Sequence, residues 1–233
     1  MTFPPAHTRY GDQTPERLRD TFRRDGFVAL PGFLRRDEVD LLLANIARYV
    51  AEVAPTAAAA DVNFEDKTRP ETLKQLHKLH RYDSFFTQIY NEGPFKRLAA
   101  DLMGEEVVGN NCQYFNKAPG ASLPTPPHQY GYYWRIEPCE GLTMWLALDD
   151  VDQENGCVRY VRGSHLRGLR PHAASGVLGF SQQMTDFGRP EDVEQEVAMP
   201  ARPGDLLVHH ALTIHRADGN RSADRQRRSM GFI

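Results

Sequence analysis

Two histidines far apart in the chain, His128 in PTPPHQYGYYW and His215 in DLLVHHALTIH, have the residue type and setting for chemistry. Each lies beside a β-prone run, so only a sheet or barrel that folds distant strands together can bring them side by side. Two imidazoles and a carboxylate on one face of a metal leave other positions open for a bidentate co-substrate and O2, the donor set that suits non-haem Fe(II). The chain holds nine histidines, and a pair chosen by type alone is more often a packed or solvated one. His209 and His210 are adjacent, so on a strand they face opposite sides and only one can approach such a metal; packing is their default role. His77 and His80, in a stretch read as helix, have no carboxylate partner and read as a solvated face. Glu137 and Glu140 follow His128 closely and could donate a carboxylate, although nothing in their spacing compels it.

The elements that must position these residues change character along the chain. Thr14 and Pro15 open a short amphipathic helix that carries Leu18 and Phe22 and stops at Gly26. FVALPGF, interrupted by Pro31, suits an edge strand, and residues 37–53 carry the Leu/Ile/Val stripe of a second helix. Residues 55–70 show no sustained period and read as a surface loop, while ETLKQLHKLHRY and PFKRLAADLMG read as helices. Past Gly104 the runs VVGNNCQYFNK, LTMWLALDDV, CVRYV, DLLVHHALTIH and RRSMGFI are short, β-rich and separated by turn residues. Helices first and strands afterwards predict a helical layer on a β-barrel or sandwich. We read residues 1–233 as one domain, with 1–104 mostly helical support and 105–233 most of the β core.

The chain has 233 residues and a formal net charge of −3, with no basic field of the kind that holds nucleic acid or an anionic membrane. No apolar run approaches the roughly 20 residues of a membrane span. The opening MTFPPAHTRYGDQ lacks a basic flank followed by an apolar stretch, so a cytoplasmic protein is expected. Cys112, Cys139 and Cys157 have no CxxC spacing and read as reduced thiols.

The strings DGFVALPGFL, PPHQ with its following YW, MWLALDDVDQENGCVRYVRGSH, PGDLLVHHALTIHRADGNRS and the closing Arg-rich strand resemble the phytanoyl-CoA dioxygenase family, in the family's order and over nearly the whole chain. The resemblance implies a mainly β fold with supporting helices, built on a double-stranded β-helix (jelly-roll or cupin-like) core. It also implies Fe(II) and 2-oxoglutarate as cofactors, and hydroxylation of a small organic substrate by O2 with release of succinate and CO2. Mapped by the motifs, the metal histidines are His128 and His215, and Asn220 marks the turn before the arginine strand. Arg227 is the preferred anchor for the distal carboxylate of 2-oxoglutarate, with Arg225 second, because the two would share a strand face. An arginine fork grips a carboxylate bidentately and keeps its charge. Lys117 is a second implied co-substrate contact, and Ala217 stands where the family often has a hydroxyl side chain. The resemblance does not choose among acyl-CoA thioesters, amino acids, phosphonates and secondary metabolites.

Tyr130 departs from the pattern, since it stands where the family's HxD motif has its metal-binding Asp. Holding a phenol as phenolate at pH 7 costs roughly 4 kcal/mol, whereas a carboxylate is already ionised. Three readings compete: Tyr130 ligates the metal, swings away and leaves water to complete a two-histidine site, or blocks the pocket in a small-molecule-binding member without turnover. Related halogenases place a small residue there to admit halide, and tyrosine is not small. A cupin-like metal enzyme independent of 2-oxoglutarate is a further, weaker reading.

Overall fold

The computed structural model describes residues 9–120 and 123–233. The opening residues 1–8, part of the segment read above for a leader, lie outside the described residues. Helix α1 (Pro15–Asp25) starts where Thr14 Oγ1 accepts the Arg17 N–H at 3.3 Å, and it ends on Gly26 at φ +83°. A Cβ on Gly26 would stand 2.4 Å from His165 Nδ1 and 2.6 Å from Thr213 Oγ1, so both the turn and the close approach demand glycine. Strand β1 (Phe27–Leu30) follows, then α2 (Arg36–Arg48), which runs on through a wider turn over Tyr49–Val53.

Next come β2 (Val62–Phe64), β3 (Leu73–Leu76), α3 (Leu79–Tyr82), α4 (Ser84–Glu92) and α5 (Pro94–Met103). Beyond them lie β4 (Cys112–Lys117), β5 (Thr125–His128), α6 (Tyr130–Trp134), β6 (Leu142–Ala147) and β7 (Val158–Val161). The remaining elements are β8 (His172–Val177), β9 (Phe180–Met184), α7 (Pro190–Glu194), β10 (Glu196–Met199), β11 (Leu206–His210), β12 (His215–Ala217) and β13 (Arg227–Phe232).

Two sheets form the jelly roll: a seven-stranded one ordered β1-β11-β6-β13-β4-β3-β2 and a four-stranded one ordered β10-β7-β12-β5. Every pairing in them is antiparallel, and β8 and β9 make a separate hairpin. The alternation of a strand's side chains divides the large sheet's residues between two environments. From β6 and β11, Leu142, Met144, Leu146, Leu206 and Val208 join Leu18, Phe22, Leu42, Phe86 and Leu98 of the helices in the main apolar core. Each fully buried side chain of that size contributes about 1.5–3 kcal/mol. Trp145, Ala147 and Leu207, one residue out of phase, instead pack with Tyr160 and Val158 of the small sheet.

The sequence reading needs two corrections here. ETLKQLHKLHRY is not one helix: residues 73–76 are strand, paired with β2 and β4, and only Leu79–Tyr82 is helical. Leu73, Leu76 and Leu79 recur every three residues and mimic a helical stripe, but all four β3 residues are buried, Lys74 and Gln75 included. Tertiary pairing overrides that local pattern. The 55–70 stretch, read as loop, contributes the short edge strand β2.

Candidate metal and co-substrate site

His128 closes β5 and His215 opens β12, and the two strands pair so that these residues are directly opposite. Directly opposed residues project to the same face, and the imidazole centroids stand 4.1 Å apart. Both side chains are buried. His128 Nδ1 lies 2.8 Å from Pro126 O and His215 Nδ1 2.9 Å from Thr213 O. A carbonyl only accepts, so each Nδ1 carries the proton and each Nε2 offers its lone pair, as histidine ligands are held for a metal. His128 Nε2 is buried without a hydrogen-bond partner. Burial, and then the neighbouring imidazoles, hold both pKa values well below the ordinary histidine value, so both rings stay neutral.

At the far end of the cavity β13 opens with Arg227, opposite Lys117 of β4. Arg227 is buried with Nε unpartnered; Nη1 lies 3.3 Å from Ser229 Oγ, and the guanidinium sits 5.4 Å from the Trp145 ring centroid. Burial lowers its pKa to about 10. Lys117, also buried, donates to Leu123 O at 2.6 Å, and burial followed by the charges of Arg227 and Lys74 holds its pKa well below the usual lysine value. Lys74 Nζ stands 3.2 Å from Glu65 Oε1 in an ion pair that lacks hydrogen-bond geometry. Lys117, Lys74 and Arg227 thus gather as buried basic side chains, with Glu65 paired to Lys74 and Asp218 and Asp149 acting from farther off, an end whose charge suits an anionic ligand.

Arg225 is not part of this end. It grips Asp152 through Nη1 at 2.8 Å and Nη2 at 3.1 Å and reaches Glu154 at 2.6 Å on the surface. Arg228 pairs with Asp149 at 2.6 Å. Asn220 pins the intervening turn, donating to Lys117 O at 2.9 Å and Arg225 O at 2.6 Å. Glu140 faces His210 at 3.4 Å and does not line the cavity, and neither does Glu137. His77 lies 3.2 Å from Gln113 Oε1, and His80 stacks on Tyr90.

Tyr130 begins α6, with its ring centroid 5.2 Å from that of His128 and 5.0 Å from that of His215. The ring lies nearly parallel to both Trp134 (5.4 Å, 12°) and His209 (5.7 Å, 16°). Burial raises its pKa, although a hydrogen bond with the Gln113 side chain pulls the other way, so the phenol is neutral. Gln129 fixes the backbone between His128 and Tyr130: its amide donates to Gly168 O (3.0 Å) and Leu212 O (2.7 Å) and accepts Arg170 N–H (2.8 Å). The imidazoles therefore suit a metal, and the cation end suits a dicarboxylate. The protein's own carboxylate donor is missing, and no cluster of three or more His, Cys, Asp or Glu side chains suited to a metal occurs among the described residues.

Three contributors, Thr143, Lys74 and Gln75, escaped the sequence reading, and His209 was given packing as its default role. His209 is buried 4.3 Å from His215, its Nδ1 2.9 Å from Tyr160 OH, its Nε2 unpartnered, and burial lowers its pKa to about 3. Thr143, opposite His209, has an orphaned Oγ1. Lys74 and Gln75 enter from β3. For Thr143 and His209 the available signal was strand alternation: each sits in phase with a residue that faces inward, Trp145 and Leu207. Seven of the ten buried side-chain polar atoms without a partner among the described residues belong to the lining of this one cavity.

The free volume there is about 50 Å³. The β8–β9 hairpin covers it, with Phe180 against His128 (5.4 Å), Gln75 donating to Gly179 O (3.3 Å) and Tyr133 donating to Gln182 O (2.8 Å). A second, open cavity of about 630 Å³ lies behind α6, lined by Tyr133, Trp134, Phe95 and Met144 among others. No helix among the described residues is long and apolar enough to cross a membrane.

Among known proteins, the phytanoyl-CoA dioxygenase (PhyH) family matches residues 22–229 of the chain. Phytanoyl-CoA dioxygenase domain-containing protein 1 of Danio rerio is 25% identical, over 91% of this chain and 85% of that protein. Phytanoyl-CoA dioxygenase of Arabidopsis thaliana is 26% identical, over 91% and 86%. Among solved structures, the epimerase SnoN in complex with Fe3+, alpha ketoglutarate and nogalamycin RO superposes with a TM-score of 0.76 at 28% identity, covering 94% of this chain and 82% of that one. EvdO2 from Micromonospora carbonacea var. aurantiaca, complexed with 2-oxoglutarate, gives 0.73 at 26% identity over 94% and 90%.

Proposed function

As the chain belongs to the phytanoyl-CoA dioxygenase family, we propose that it is a non-haem Fe(II)/2-oxoglutarate-dependent oxygenase of a small organic substrate, consuming O2 and releasing succinate and CO2. The observation that carries this reading is the concentration of unpartnered buried polar atoms around one cavity, with imidazoles at one end and cations at the other. Native proteins leave few such atoms, so a cluster of them marks a place suited to a polar ligand.

In this reading His128 and His215 hold the metal through Nε2, and Pro126 O and Thr213 O keep both rings in the binding tautomer. Arg227 receives the far carboxylate of 2-oxoglutarate, with Lys117 and Lys74 balancing its charge; bound iron supplies the redox chemistry of O2. Phe180 and the β8–β9 hairpin exclude water once the co-substrate is seated. Hydroxylation is the expected outcome, acting on a substrate whose identity the family likeness leaves open. A cytoplasmic location belongs to the same reading, which rests there on three free cysteines.

A second reading, a binding module without turnover, is favoured by the Trp134–Tyr130–His209 stack, which occupies the place of the missing carboxylate donor. Succinate release with added Fe(II) and 2-oxoglutarate, compared between the parent chain and Tyr130→Asp, separates them. Turnover by the parent supports the oxygenase; turnover only after substitution supports the module. Arg227→Ala should abolish tight 2-oxoglutarate binding, and undiminished binding would remove the assignment of the cation end.

A further inference from the structure

The function proposed above makes no use of the open cavity of about 630 Å³ behind α6. Among the described residues, none lines both this cavity and the one between His128 and Arg227. The two lie on opposite faces of the large sheet: Leu142 and Met144 of β6 and Phe232 of β13 line the open one, and all three belong to the layer packed against the helices. Phe95 of α5 stacks on Phe232 there (3.8 Å, 15°). A cavity of this volume falls within the range of small-molecule sites, roughly 300–1,000 Å³.

Two glycines let aromatic rings lie close against the backbone in its wall. A Cβ on Gly141 would stand 2.7 Å from Cζ3 of Trp134, and one on Gly109 would overlap the Tyr90 hydroxyl. Neither glycine has a positive φ, so it is the neighbouring ring and not a left-handed turn that excludes a side chain. The charge around these rings is one-sided. Glu105, Glu106 and Glu140 line the cavity against a single basic side chain, Lys96, and Arg97 next to it is held by Asp101 at 3.0 Å. His210, 3.4 Å from Glu140, does not neutralise it, because burial keeps the imidazole pKa below its ordinary value. Apolar residues would take a ligand's body, the faces of Tyr90 and Trp134 favour a cation, and the carboxylates repel an anion.

We propose that this cavity is a binding site for a small organic cation, an amine or quaternary ammonium carried on an apolar body. It is a second ligand site, opposite in charge preference to the Arg227 end, and it stands or falls independently of the oxygenase reading.

The test titrates the purified full chain with phenylbutylamine, phenylbutanol and phenylbutyrate, which share one apolar body and differ in the charge of the head. Binding is followed by calorimetry and by tryptophan emission, since Trp134 is one of only two tryptophans. The amine should bind tightest and the carboxylate about tenfold more weakly, with the gap narrowing as salt is raised. A variant combining Glu105→Gln, Glu106→Gln and Glu140→Gln should bring all three probes within about twofold of one another. His128→Ala should leave amine binding as it was. Failure of all three probes to bind, a carboxylate that binds as well as the amine, or a preference that survives the triple substitution overturns the proposal. Loss of amine binding in His128→Ala would place the ligand between the two sheets and overturn it equally, as would a dimer that displaces the amine as protein concentration rises.

Discussion

The two faces of the seven-stranded sheet are made by the same strands and filled on opposite terms. Toward the helices, Leu146, Val208 and Met230 meet Leu42, Phe86 and Leu98 in an apolar layer that needs no ligand to be complete. Toward the small sheet, one residue out of phase, stand Thr143, Trp145, His209 and Arg227, and the polar atoms left without partners gather there. The outer face stores stability, and the inner face gives some of it up to hold charge and lone pairs ready. An unmet polar atom costs about 1–3 kcal/mol, which the apolar layer on the other side of the same backbone must offset.

The comparison can be broken most forcefully on the outer face. Phe86→Ala should lower unfolding stability by about 3–5 kcal/mol, read from the midpoint of a denaturant titration; a loss below ~1 kcal/mol would mean the helical layer is not the reservoir described. On the inner face, Co(II) or Fe(II) should stabilise the parent chain by about 2.7 kcal/mol at a hundredfold excess over its dissociation constant. His128→Ala should lose that gain while melting normally without metal. An equal metal-induced shift in the variant would separate the imidazoles from the metal.

Smaller effects sharpen the contrast. Lys117→Met should weaken 2-oxoglutarate binding roughly tenfold, about 1.4 kcal/mol, by isothermal titration. Because the Lys117 pKa is held well below its ordinary value, the free site sheds that proton before a normal lysine would, and a bound dianion favours its return. Affinity should therefore fall as pH rises through the depressed value, and the substitution should flatten that slope. The sign for folding is opposite: the unfolded chain keeps the proton to about pH 10.4, so this group's penalty on stability shrinks as pH rises toward that value. Smallest of all, Thr143→Val replaces an orphaned hydroxyl with a methyl of the same shape and should change stability by no more than ~1 kcal/mol in either direction; a large loss would reveal a hydroxyl partner that the cavity does not show.

What was legible in the sequence follows the same division. The outer layer announces itself through periodicity, so α1, α5 and the strand-rich second half could be read directly. His128, His215 and Arg227 were singled out because motif order fixes which strands converge, and the fold does bring these three to one cavity. Alternation could not separate Arg227 from Arg225: they share parity, but Arg225 lies before β13 begins and is held by Asp152 and Glu154. Lys74 stayed hidden because its strand imitates a helix and because a lysine is ordinarily assigned to solvent. The pose of Tyr130 was beyond reach, since it is set by Trp134 and by His209, which is distant in the sequence. Local spacing carries no information about such a stack.

Strand β13 comes after every other strand in chain order, yet it lies in the middle of the large sheet, hydrogen-bonded to β6 on one side and β4 on the other. During synthesis those neighbours wait with open edges until residues 227–232 emerge, and open edges invite pairing with other chains. Arg227 rides on that same strand. Closure of the sheet and the arrival of Arg227 opposite Lys117 are therefore one kinetic event, late and dependent on distant contacts.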